Sequence, residues 1–197
     1  YPFSVAIIGK GRTFSQYCGG SLISNKFILT AAHCVVENFR LVSPRYIGAV
    51  VGYNRISQNL RITRPVIDIS RYWIHPNYKY EQSGDYSNDI AILELEDRVS
   101  VESAILLENS SNYTMFEHTG TQLTIQGWGT METNSRSDIL MKTDIQLYNQ
   151  NSCSLLFAST VYNPDLLICG AGVGIRDSCS GDSGGALLAR LNDKTIV

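Results

Sequence analysis

The strongest constraint on the fold is the length and spacing of the apolar runs. They fall at residues 3–8, 27–30, 46–51, 66–72, 90–95, 123–126, 141–147, 167–169 and 186–191, each three to seven residues long. Between them stand Gly11, Gly52, Gly84, Gly120, Gly129 and Pro164. Runs this short, rich in β-branched and aromatic residues and closed by turn formers, are strand-sized, whereas a core helix needs roughly ten residues or more. The pattern predicts an all-β chain. One short helix is expected over 149–158, where Leu155, Leu156 and Ala158 fall near Cys153 and Asn149 or Asn151 can cap the first turn. No repeat of fixed period interrupts this order.

Composition removes several function classes. The 197 residues carry a formal charge of −2 and their basic residues are scattered, which gives no electrostatic grip on nucleic acid. Charged residues make up 17% and hydrophobic ones 44%, a balance that buries a core and argues against disorder. No apolar run approaches the roughly 20 residues of a membrane helix. Starting at Tyr1 and stopping inside an apolar run at Val197, the chain reads as a fragment. Five cysteines leave one without an internal partner in an oxidised protein. The polar stretch 108–119 reads as a linker dividing the chain near residue 110. It holds two N-glycosylation sequons, at Asn109 and Asn112, which are as readily accounted for by chance as by use.

The densest chemical signal is Asp177-Ser178-Cys179-Ser180-Gly181-Asp182-Ser183-Gly184-Gly185. Serine among glycines can stand on a tight turn that exposes its hydroxyl and aims backbone N–H groups at an oxyanion. Gly181-x-Ser183-x-Gly185 equally satisfies the nucleophile elbow of α/β-hydrolases, and many Gly/Ser loops do nothing. A nucleophilic serine needs a histidine base and a carboxylate to orient it. Of three histidines, His75 precedes a proline and reads as structural, and His118 lies in the linker. His33 remains, in Thr30-Ala31-Ala32-His33-Cys34 at the end of an apolar strand. Asp89 opens the apolar run Ile90-Ala91-Ile92-Leu93 and would be drawn inward, although taken alone it reads as a turn or cap residue. The order His33, Asp89, Ser183 is not that of an α/β-hydrolase, which runs serine, acid, histidine; it is the chymotrypsin order.

Five segments now resemble the trypsin-like serine proteases of the chymotrypsin family: Cys18-Gly19-Gly20-Ser21-Leu22-Ile23, Leu29-Thr30-Ala31-Ala32-His33-Cys34, Asn88-Asp89-Ile90-Ala91-Ile92-Leu93, Gly127-Trp128-Gly129 and Gly181-Asp182-Ser183-Gly184-Gly185. The resemblance implies two antiparallel six-stranded Greek-key β-barrels, 1–110 carrying the catalytic histidine and aspartate and an incomplete 111–197 carrying the serine, together one peptidase domain. By resemblance His33, Asp89 and Ser183 form the catalytic triad, and the N–H groups of Gly181 and Ser183 the oxyanion hole. Asp177, six residues before Ser183, matches the floor of the primary specificity pocket and implies cleavage after Arg or Lys. Asp182 matches the residue that pairs with the amine released on zymogen cleavage, which would precede Tyr1.

Disulfides Cys18–Cys34 and Cys153–Cys169 are implied in the same way, with the partner of Cys179 expected beyond Val197. A further family bridge falls on Leu123 and Ala189, so packing is expected there. The family's usual proline after Gly185 is Ala186 here. A Ser-Trp-Gly-like strand, the far wall of the pocket and a C-terminal helix would follow Val197. The implied protein is a secreted, extracellular, monomeric serine endopeptidase with no cofactor and no metal. It would act on protein or peptide substrates and meet protein inhibitors, but not nucleic acid or membrane. The alternative is a catalytically silent homologue that serves as a binding or regulatory module.

Overall fold

The computed structural model describes residues 1–11, 14–56, 65–79, 87–106, 118–156, 162–172, 177–191 and 194–197. Six strands close into a barrel in the order β1-β2-β3-β8-β7-β6. They are β1 (Ser4–Lys10), β2 (Phe14–Leu22), β3 (Phe27–Thr30), β6 (Ile47–Val51), β7 (Ile67–Ile74) and β8 (Ala91–Leu95). Between β3 and β6 lie a 3-10 turn (Ala32–Val35), a two-residue-strand hairpin of β4 (Val36–Glu37) and β5 (Arg40–Leu41), and a second 3-10 turn (Pro44–Tyr46). The remaining strands form an open five-stranded sheet, ordered β11-β10-β9-β12-β13. These are β9 (Gln122–Gly127), β10 (Met141–Leu147), β11 (Gly170–Gly172), β12 (Leu187–Leu191) and β13 (Lys194–Ile196). Among the described residues one α-helix, α1 (Gln150–Leu156), follows β10. The expected division near residue 110 and the sequons at Asn109 and Asn112 fall outside the described residues, as does the end of the helix expected through 158.

Burial explains why some strands alternate and others do not. In β8, Ala91, Leu93 and Leu95 point into the barrel while Ile92 is exposed, the period of a sheet covered on one face. In β1, Val5 and Ile7 join the barrel core while Ala6 and Ile8 pack on the outside against Trp128 and Val50. Both faces of β1 are therefore buried, and its run Val5-Ala6-Ile7-Ile8 is continuous. Burying each such Val or Ile side chain contributes about 1.5–3 kcal/mol. The barrel core also takes in Ala186 and Leu188 of the second half, so the two halves share a packed boundary. Glu94 on β8 is buried between Lys26 (2.9 Å) and Arg71. Hydrogen bonds from these two cations hold its carboxyl below the usual carboxylate range.

Two departures from the sequence pattern have local causes. Residues 167–169 are not a strand: the amides of Leu166 and Leu167 both donate to the Asn163 carbonyl, closing a turn. Pairing with β10 begins instead at Gly170, opposite Leu147. The nine-residue β2, absent from the apolar runs of the sequence, carries Gly19-Gly20 in its interior. A Cβ on Gly20 would stand 2.8 Å from the Ile28 side chain, and one on Gly19 would stand 3.1 Å from the Gly185 backbone. Glycine is required there by crowding, not by a turn.

Candidate active site

His33 and Asp89 are brought together by strand register. β3 and β8 are antiparallel neighbours with Thr30 opposite Ala91, so the residues just after β3 and just before β8 lie at the same end of the barrel. Ala32 and Val35 are buried and seat the 3-10 turn on the core, leaving His33 outside. Asn88, in the left-handed region at φ 59°, turns the chain into Asp89. One Asp89 oxygen accepts the backbone N–H of His33 at 2.8 Å, and the other lies 2.6 Å from Nδ1. Because an ionised carboxylate only accepts, the bond places the proton on Nδ1 and leaves Nε2 with a free lone pair.

Ser183 approaches from the second half of the chain. Its carbonyl oxygen lies 3.6 Å from Sγ of Cys34 and accepts the Gly19 amide at 2.7 Å, while Nε2 of His33 lies 3.9 Å from the same sulfur. Cys34 is bonded to Cys18, with 6.1 Å between their Cα atoms, so this disulfide is the common mount of histidine and serine. No hydrogen bond joins Ser183 Oγ to His33 among the described contacts. Such bonds are commonly long in a free site and tighten when substrate binds.

The loop around Ser183 is held through its carbonyls. Those of Cys179, Ser180, Gly181, Asp182 and Ser183 accept, in turn, from the amide of Asp182, the amide and hydroxyl of Thr130, Nε2 of Gln16, the amide of Gly185 and the amide of Gly19. The N–H groups of Gly181 and Ser183 have no acceptor among the described residues. Gly181 and Gly184 adopt φ 103° and 78°, and a Cβ on Gly184 would overlap Thr30 and the Gly19 carbonyl. Only glycine fits either position.

Asp182 points away from the serine, beneath Gly127-Trp128-Gly129. Its carboxylate accepts the Gly129 amide at 2.7 Å and the Cys179 amide at 3.0 Å. A Cβ on Gly127 or Gly129 would overlap that carboxylate, which explains both glycines of the motif. Asp177 is exposed and accepts the amide of Ser178 at 2.7 Å. It touches none of His33, Asp89 or Ser183, and its neighbours 173–176 lie outside the described residues. A second disulfide joins Cys153 to Cys169, and Cys179 is free and exposed. Leu123 and Ala189 lie together in the buried cluster of the second sheet. The His75 ring accepts the Asn77 amide while its own amide donates to the carbonyl of Ile90, next to Asp89, and His118 is exposed.

The comparisons with known proteins agree with this architecture. The trypsin family's profile matches residues 1–196. The chain belongs to the trypsin family. It is a serine endopeptidase domain of that family, 32% identical over its whole length to the trypsin of Saccharopolyspora erythraea, of which it spans 79%. It is also 32% identical over 96% of its length to phenoloxidase-activating factor 3 of Holotrichia diomphalia, and 34% identical over 88% to the CLIP domain-containing serine protease HP8 of Bombyx mori. The chain spans about half the length of these two insect relatives, 57% and 50%. Among the described residues no helix is long and apolar enough to cross a membrane.

Gln16 and Thr130 carried no signal in the sequence. A single glutamine inside a strand and a threonine after a Gly-Trp-Gly motif are ordinary residues until their partners, 165 and 50 positions away respectively, are known.

Proposed function

We propose that the protein hydrolyses peptide bonds on the carboxyl side of Arg or Lys, with His33, Asp89 and Ser183 as its triad. The observation that carries this reading is the two-point hold of Asp89 on His33, which leaves Nε2 as a base beside the disulfide that also anchors Ser183. In the first step Nε2 takes the hydroxyl proton as Ser183 Oγ bonds to the scissile carbonyl carbon. The carbonyl π electrons move to oxygen, and the N–H groups of Gly181 and Ser183 receive the resulting oxyanion. The C–N bond then breaks as the imidazolium returns its proton to the leaving amine. Water, deprotonated by the same nitrogen, repeats the sequence on the acyl-enzyme and frees the acid and Ser183. Asp89 stays ionised and stabilises the imidazolium throughout.

Asp177 supplies the charge that selects a cationic side chain, and two of the oxygen lone pairs on Asp182 remain for the amine of an activated chain. Residues 1–110 and 111–197 act as two halves of one peptidase domain, in a secreted, monomeric protein that meets protein inhibitors. The test uses the full-length, activated protein: a fluorophosphonate should label Ser183, Ser183→Ala should abolish hydrolysis, and Arg and Lys substrates should be cleaved ahead of aromatic ones. Absence of labelling would show a silent homologue, and preference for aromatic residues would remove Asp177 from the pocket floor.

A further inference from the structure

The N–H of Gly181 belongs to the peptide unit whose carbonyl is that of Ser180. In a trans peptide the two groups lie in one plane and point in opposite directions. Whatever holds the Ser180 carbonyl therefore decides where the Gly181 N–H points. It is held twice by one residue, by the Thr130 amide at 2.9 Å and by the Thr130 hydroxyl at 3.2 Å. The next peptide unit, between Gly181 and Asp182, is held from the barrel. Nε2 of Gln16 reaches the Gly181 carbonyl at 2.6 Å, and the Asp182 amide donates to Cys179 at 2.9 Å. Gly181, at φ 103°, has no side chain to oppose rotation of either unit. Its orientation is thus set by the clamps on its two flanking peptides.

Gln16 is fixed for this task. It is buried on β2, and the same side-chain nitrogen also donates to the Cys18 carbonyl at 3.1 Å. Its backbone carbonyl accepts the guanidinium of Arg136, which ties that point of the barrel to the second half of the chain.

We propose that Thr130 and Gln16 are positioning residues for the oxyanion hole, one from each half of the molecule, which clamp the peptides on either side of Gly181 so that its N–H stays aimed at the developing negative charge. This rests on the proposed triad and deepens it. Losing an oxyanion donor outright costs about 10²- to 10³-fold in turnover. Losing one neutral hydrogen bond that orients such a donor shifts the population of the aimed state by about 2- to 10-fold.

The experiment uses the full-length activated protein and compares Thr130→Val, Thr130→Ser and Gln16→Met with wild type, after Ser183→Ala has been shown to be silent. The expected result is a fall in kcat of about 2- to 10-fold in Thr130→Val and Gln16→Met, with KM changed less than about twofold. Affinity for a peptide boronate, whose tetrahedral oxygen would take the same N–H groups, should fall by the same factor. Thr130→Ser, which keeps the hydroxyl, should restore both. A thermal melt on each variant separates this from unfolding. Unchanged kcat, a parallel change in KM and kcat, or Thr130→Ser no better than Thr130→Val would each overturn the assignment while leaving the triad standing. Wild-type hydrolysis that survives Ser183→Ala would instead overturn the triad and this proposal with it.

Discussion

Alanine at Gly129 is the sharpest probe of how the loop bearing Ser183 is held. Gly129 is not at positive φ, so its backbone can accept an alanine, and in open space the change would stabilise by about 0.4–1 kcal/mol through the unfolded state. The obstacle is Asp182: the new Cβ would lie 2.5 Å from its carboxyl carbon and 2.6 Å from Oδ1. Rotation offers no escape, because Oδ1 accepts the amide of Gly129 itself and the other oxygen accepts Cys179. Either the overlap remains, at about 1–3 kcal/mol for overpacking, or the carboxylate moves and forfeits a charge-assisted hydrogen bond of about 1.5–3 kcal/mol. Only one of these is incurred, and set against the gain of about 0.4–1 kcal/mol it leaves a net loss of about 0.5–2 kcal/mol. The assay is urea denaturation followed by tryptophan fluorescence, run as a cycle with Asp182→Ala. In that background the obstacle is gone, and Gly129→Ala should become neutral or stabilising. Gly120→Ala is the contrast: its φ is 84° with nothing within 4 Å, so it should cost about 1 kcal/mol in either background. An equal loss for Gly129→Ala with and without Asp182 would refute the reasoning.

Two further outcomes follow from local geometry. Burial, aided by Glu37 and Tyr72, pushes the Tyr17 hydroxyl up to about 12. The folded state therefore keeps a proton that the unfolded chain releases from about pH 10. Stability is full below pH 10 and falls between about pH 10 and 12. Tyr17→Phe should make that alkaline slope shallower, the remainder belonging to Tyr72 and Tyr162, which burial also raises; difference melts against pH would detect the change, and parallel curves would contradict the assignment. At the tip of the β4–β5 hairpin, Asn38 and Phe39 both lie in the left-handed region, at φ 50° and 60°, and Phe39 is 57% exposed. Phe39→Gly creates the Asn-Gly pair such a turn prefers and should raise stability by about 1 kcal/mol. A lower denaturation midpoint would show that the ring makes contacts worth more than the strain.

Strand existence was legible in part: 27–30 and 141–147 coincide with β3 and β10, whereas the apolar run 167–169 follows a turn and pairs only from Gly170. It failed where packing, not polarity, chose the residue. β2 was not among the apolar runs, and its interior Gly19 and Gly20 are set by the nearness of Gly185 and Ile28. The residues of the proposed site divide in the same way. Ser183, His33 and Asp89 stand in short motifs whose chemistry is local to the sequence. Thr130 and Gln16 each bond a backbone carbonyl of the serine loop, and any donor of suitable length could do so, which leaves no residue-type signature to read.

These contacts also show why the serine loop answers to both halves at once. From the barrel come the amide of Gly19 and the side chain of Gln16; from the second half come the amides of Gly129 and Thr130. A hydrogen bond with one partner in each half keeps its length only while the halves stay docked. The docking is itself apolar, through Ala6, Ile8 and Trp128 on one side and Ala186 and Leu188 within the barrel core on the other. Opening that boundary would expose buried surface and release the Ser183 loop in one event, so stability of the interface and order of the proposed site are coupled by construction.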